Sequence, residues 1–193
     1  MRRILATVGA LVALAGCGGG GLDGPAPQAR LGPDGMPLPQ VYRIEEADAA
    51  EVKVRLLDGV NALRQGAGLG FVTYSRALDT AAASHSRDMA RQNRPWHFGS
   101  DGSSPLDRAR RVGYPGLILG EAISETYETE LETLAAWMQQ PDTRAVILDP
   151  RARELGFAWH QEPAGKLWWT LVLGSTAIPA PAPSPIPAAV TTE

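Results

Sequence analysis

The chain has 193 residues, with 18 Lys and Arg against 21 Asp and Glu, three His and a single Cys. The balance is mildly acidic and no Lys/Arg stripe runs through it, which argues against nucleic acid as a partner, because such binding rests on neutralising phosphates. One cysteine forms no internal disulfide, so a folded domain here must rest on its core, and a patterned stretch of about 130 residues suffices for one.

The chain opens MRRILATVGALVALAG, with Arg2 and Arg3 ahead of an apolar run from Ile4 to Ala15. This predicts an export signal over 1–16. Its apolar core falls short of the roughly 20 residues a spanning helix needs. Leu14-Ala15-Gly16-Cys17 resembles the lipobox of bacterial lipoproteins, which implies cleavage before Cys17, acylation of that cysteine and a stable anchor through several acyl chains. Gly18 in place of an aspartate implies the outer membrane, on its periplasmic side, in a two-membrane cell. Residues 17–45, dense in Gly and Pro, read as a tether with a span of roughly 25 to 30 Å if flexible.

Helical spacing over 46–65 turns Val54, Leu57, Val60 (with Leu56) and Leu63 inward, and Gly66 with Gly68 ends that helix. A second helix begins near Ser75 with Leu78, Ala81, Ala82, His85 and Met89 on one face. Ser104-Pro105-Leu106-Asp107 has a capping-box form with proline at the first helical position, opening a short helix to Val112. A fourth helix, about 127–140, carries Leu131, Leu134, Ala135 and Met138 inward and stops at Pro141. Strands are predicted over 117–124, 155–160 and 167–174, the last two joined by a hairpin at Gln161–Gly165. Helices around a small, mostly antiparallel sheet define an α/β layered fold. The last stretch, 176–193, with proline at 179, 181, 183, 185 and 187, reads as a disordered tail.

An ordered series of short motifs runs through the middle: Leu63–Leu69 (LRQGAGL), Ala81–Met89 (AAASHSRDM), His97 with Asp101–Arg108 (DGSSPLDR), Gly113-Tyr114, Gly120-Glu121, Trp137-Met138, Arg144 with Ile147-Leu148, Glu154-Leu-Gly156 and Trp169-Thr170. In this order they resemble the CAP superfamily of cysteine-rich secretory proteins, antigen 5 and pathogenesis-related 1 proteins, in its bacterial single-domain branch, over about residues 50–174. The resemblance implies an α-β-α sandwich over 46–175. It also implies a cleft whose histidines and glutamates sometimes hold a divalent metal, with His97 and Glu121 at two of those positions. Thr143 stands where the relatives have a second histidine, Val146 where they have an asparagine, and Ala122 follows Glu121 in place of another.

Stable zinc sites use at least three protein ligands. His97 and Glu121 supply two, and the third would come from His85 or an acid such as Glu154. The competing reading of His97 is structural, its ring packed against Trp96, Phe98 or the Glu121 carboxylate. His160 reads as a solvated residue, Ser100, Ser103 and Ser104 as turn and cap chemistry, and Trp159, Trp168 and Trp169 as strand residues divided between core and face. Asp107-Arg108 and Arg110-Arg111 read as a solvated helix face with local ion pairs. The resulting expectation is a non-enzymatic envelope lipoprotein that binds a lipid, cell-wall or protein partner. Its rivals are a metal-assisted hydrolase of peptide or cell-wall substrates using His97 and Glu121, with zinc as cofactor, and a structural protein with a vestigial pocket.

Overall fold

A computed structural model describes residues 41–176. The export signal, Cys17 and almost all of the tether and the Pro-rich tail lie outside the described residues. After a short 3-10 turn at Glu46–Asp48, the order is α1 (Ala49–Gly66), β1 (Thr73–Tyr74), α2 (Arg76–Gln92), α3 (Pro105–Arg111), β2 (Leu117–Thr126), α4 (Glu130–Gln139), α5 (Pro141–Ile147), β3 (Glu154–Gln161) and β4 (Leu167–Ser175). The strands lie in the order β1-β3-β4-β2; β4 is antiparallel to both neighbours and β1 runs parallel to β3.

β4 sits at the centre and is buried along its whole length. Its alternating side chains feed two cores. Leu171 and Leu173, with Leu155, Phe157 and Trp169, pack with Val52, Leu56 and Val60 of α1, Leu134 and Trp137 of α4 and Ile147 of α5. Val172 and Ala158, on the other face, pack with Leu78 and Ala82 of α2 and Ala109 of α3. Helices therefore cover both faces of the sheet. Gly156 makes the second layer possible: a Cβ there would strike the backbone of Leu78 and Asp79, so only glycine lets α2 lie so close.

Helix start signals read from the sequence are realised locally. The Ser75 side chain caps α2, and Ser104 with Asp107 forms a reciprocal capping box at α3 with Pro105 in the first turn. α4 opens on a further capping box, Thr129 with Glu132, that the sequence reading did not include. Three expectations are corrected. The inward stripe of α1 is Val52, Leu56, Val60 and Arg64, while Val54 is 54% exposed. α1 is apolar over a wide arc, and the sheet takes its i, i+4 row. Leu131 is 44% exposed and Ala135 is exposed, because α4 meets α1 through Leu134 and leaves those two beside an open groove. Pro141 does not end the helical region; it opens α5, since proline at a first helical position needs no donor. The two-residue β1 has no periodic signal of its own.

Arg64 closes the α1 row without any exposure. Its Nε donates to Gly70 O at 2.8 Å, Nη1 to Ile147 O and Asp149 O at 2.9 Å each, and Nη2 to Ala152 O at 3.2 Å. One guanidinium thus binds the loop after α1 to the turn after α5. At one end of the sheet, Gln161 accepts from Ile44 N and donates to Tyr42 O, and Arg43 donates to Glu162 O and Pro163 O, so residues 42–44 lie bound to the β3–β4 hairpin. At the other end, Thr176 N donates to Glu154 Oε2.

Replacing Arg64 by Met should leave the buried Ile147 carbonyl without this donor, release Gly70 O, and cost roughly 3 kcal/mol. Urea unfolding should show the midpoint falling sharply at unchanged slope. A midpoint within error of the parent would contradict the stapling role.

Candidate functional site

The second layer carries a polar cluster built from four segments. α2 turns His85 and Asp88 inward from its buried face. The helix stops at Asn93, which takes the left-handed conformation (φ 47°). The following loop is fixed by Trp96, whose ring meets Phe98 at 5.5 Å and lies under the Arg94 guanidinium at 3.8 Å. Asp88 accepts from Ser100 N at 2.6 Å and Ser100 Oγ at 2.7 Å. Burial works to raise the pKa of Asp88, but these hydrogen bonds and the Arg91 charge outweigh it and hold the carboxyl below its ordinary value.

Glu121, from the middle of β2, is the focus. Its register partner is Val172, so it faces α2 and α3. His97 Nδ1 donates to Glu121 Oε1 at 3.0 Å, and Arg108 Nη2 donates to Oε2 at 2.7 Å. Arg108 Nη1 also donates to His97 O at 3.1 Å and Ser103 O at 2.9 Å. Arg108 is 5% exposed and Glu121 7%. The sequence reading of Arg108 as part of a solvated face is therefore corrected: the first turn of α3 is held by its cap, and the next residue inward delivers the guanidinium to the carboxylate. Arg111 does stay outside, paired with Asp101 at 2.6 Å.

His85 is fully buried. Its Nε2 contacts Trp96 O at 3.0 Å, and since a carbonyl only accepts, that nitrogen carries the hydrogen. Nε2 stands 3.7 Å from Glu121 Oε1, too far for a hydrogen bond, and Nδ1 has no partner among the described residues. Burial lowers the pKa of His85; Glu121 opposes the shift, Arg108 adds to it, and Asp88 opposes it weakly.

The structure thus brings His85, His97 and Glu121 together and adds Arg108, which sequence reasoning missed because an arginine flanked by charged neighbours reads as solvent-facing. His97 does not pack between Trp96 and Phe98; those rings meet each other. Thr143 is not brought to Glu121. Its helix, α5, lays Val146 where a Cβ of Gly120 would point, and Gly120 and Glu121, being successive, face opposite sides of β2. The Thr143 hydroxyl donates to Trp137 O at 2.5 Å. Glu154 is likewise committed, accepting from Tyr114 Oη at 2.6 Å. His160 is half-buried beside Arg87 and Arg91. Trp168 and Trp169 are fully buried and Trp159 is half-buried.

The donor set does not fit a divalent ion. Glu121 Oε2 is occupied by a fixed cation, His85 directs its Nε2 hydrogen to a carbonyl, and Thr143 and Glu154 are spent elsewhere. Among the described residues no group of three or more His, Cys, Asp or Glu is arranged to hold a metal.

On the other side of the sheet, α1 and α4 leave an open groove of about 810 Å³. Gly59, Ala62 and Leu63 of α1 face Leu131, Leu134 and Met138 of α4, with Arg144 and Leu148 at one end. The Arg144 guanidinium makes no ion pair with a described residue, only a long 3.5 Å contact with Met138 O.

A layered α/β domain with helices on both faces of a four-stranded sheet matches the CAP fold. The model of the cysteine-rich secretory protein family, CAP, matches residues 57–173, more than half of the chain, and the chain belongs to that family. YkwD of Bacillus subtilis strain 168 is 28% identical over 120 residues, which make up 62% of this chain and 46% of YkwD, so the chain spans about half the length of that curated relative. Among solved structures, an outer surface protein from Borrelia burgdorferi superposes with a TM-score of 0.62 at 14% identity, covering 70% of this chain and 98% of that one. An extracellular protein containing a SCP domain from Bacillus anthracis strain Ames gives 0.61 at 17% identity, covering 69% and 45%. These likenesses show the fold.

Because burial lowers the pKa of His85 in the folded chain, the unfolded chain binds more protons at this residue as pH falls through about 6.5. This contribution is present above that pH and is lost as pH falls below it. Urea midpoints should drop from pH 7 to 5, and His85→Gln should flatten that limb. An unchanged slope in the variant would show that His85 does not set it.

Proposed function

We propose that this chain is a non-enzymatic binding module of the cell envelope, and that its groove between α1 and α4 takes a single-chain lipid with an anionic head. The groove carries the reading: its walls are aliphatic, its volume lies within the 300 to 1,000 Å³ common for small-molecule sites, and Arg144, at its end, has no ion-pair partner among the described residues. An acyl chain would lie along Leu63, Leu131, Leu134 and Met138, with its carboxylate or phosphate against Arg144. Tyr42 Oη donates to Glu130 Oε2 at 2.8 Å, so the segment leading back toward Cys17 is fastened at the start of α4, next to the groove. The relatives described as outer surface and extracellular proteins support a place in the envelope. Hydrolysis is disfavoured because both oxygens of Glu121 already accept from fixed donors, which makes this carboxylate a poor base toward water.

The full chain, carrying Cys17→Ser to remove its own anchor, should displace a fluorescent fatty acid from solution with micromolar affinity. Ala135→Trp, which fills the groove, and Arg144→Glu should each weaken binding by at least roughly tenfold, one step of about 1.4 kcal/mol. A fatty alcohol should lose the sensitivity to Arg144 and keep that to Ala135. Equal affinity in the parent and Ala135→Trp would remove the groove from consideration.

A further inference from the structure

We infer that the Arg108 guanidinium is the built-in cation of the His97–Glu121 cleft: it holds the position in which the cleft could otherwise receive a metal ion, and closes the cleft to one. The reading is independent of the groove and goes beyond it.

Three observations carry this. Glu121 is a buried carboxylate, and a buried charge persists only when paired and hydrogen-bonded. Its nearest cation is the Arg108 Nη2 at 2.7 Å, and Arg108 is itself buried, so the pair is desolvated and always charged on the arginine side. The guanidinium is also held in place, since both Nη1 hydrogens are used, on His97 O and Ser103 O. A metal approaching Glu121 Oε2 would have to displace an arginine held by three acceptors, and would meet a fixed like charge on the way. His97 Nδ1 and Glu121 Oε1 lie 3.0 Å apart, so two donors for an ion are already neighbours. Arg108 is what removes the second carboxylate oxygen from that set.

The same contacts make Arg108 a positioning residue. By gripping both ends of the 97–103 turn and the strand that bears Glu121, it fixes where the half-exposed His97 ring stands.

The test uses the full chain carrying Cys17→Ser, which removes its one thiol, and compares zinc calorimetry and cobalt absorption spectra. The parent and Arg108→Lys, which keeps a cation, should stay silent to millimolar metal. Arg108→Ala opens the position: zinc binding should tighten by at least roughly tenfold over the parent, with water completing the shell, and Arg108→Ala with Glu121→Gln should lose that gain. Arg108→Ala leaves Oε2 of a buried carboxylate without its cation and will be less stable; zinc or millimolar methylguanidinium should raise its melting temperature and leave that of the parent unmoved. Stoichiometric zinc binding by the parent that His97→Ala abolishes would overturn the inference. So would an Arg108→Ala protein that neither gains metal nor is restored, in stability or in folding, by zinc or methylguanidinium.

Discussion

A carboxylate buried in the middle of β2 sets the terms for half of this molecule. Glu121 can stay charged there only if donors are brought to both its oxygens, and each donor comes from a different segment: His97 from the loop after α2, Arg108 from α3. Those segments must then be shaped to deliver them. The Ser104–Asp107 cap fixes where α3 begins and therefore where Arg108 points, one residue beyond the cap's last member. Asp88 pins Ser100 and with it the turn behind His97. Losing any one of these leaves a charge without its partner, which costs far more than the intact pair contributes. The cluster is thus an all-or-none arrangement.

Arginine also does the work of cross-linking. The family takes its name from cysteine, yet this chain has one, outside the described residues. Arg64 joins the loop after α1 to the turn after α5, and Arg108 joins α3 to the 97–103 turn and to β2. In both, a planar fork with several donors gathers carbonyls that no strand or helix satisfies. Loops that connect layers in this way are held without covalent bonds.

How much of this could be read from the sequence divides along physical lines. α2 was legible because Leu78, Ala81, Ala82, His85 and Met89 recur at helical spacing, and the caps at Ser75 and Ser104 have local causes that need no tertiary context. His97 and Glu121 were legible as a pair only through the ordered motifs, since 24 positions separate them and nothing local joins them. The two buried arginines were not legible: burial of a charge depends on acceptors contributed from distant segments, and a window of sequence shows only the charge. Val54 and Leu131 were assigned inward because apolar residues on a wide arc give no sign of which row meets the sheet. α5 was hidden by Pro141, which serves equally as an end and as a beginning. The α1–α4 groove depends on two helices left slightly apart, a distance that no pattern encodes.

The bonds of residues 42–44 to the β3–β4 hairpin and of Thr176 to Glu154 put the two exits of the domain at opposite ends of β4, a strand of nine residues or about 30 Å. Were both flanking segments held, tension between them would run along β4 rather than across it. The few side-chain bonds of the 42–44 segment would peel first. The load would then fall on ladders to β3 and β2 on either side, strained in shear, with their hydrogen bonds sharing the force instead of breaking in turn. The domain would then act as a mechanical link, stiff along the one direction in which its own chain can pull it.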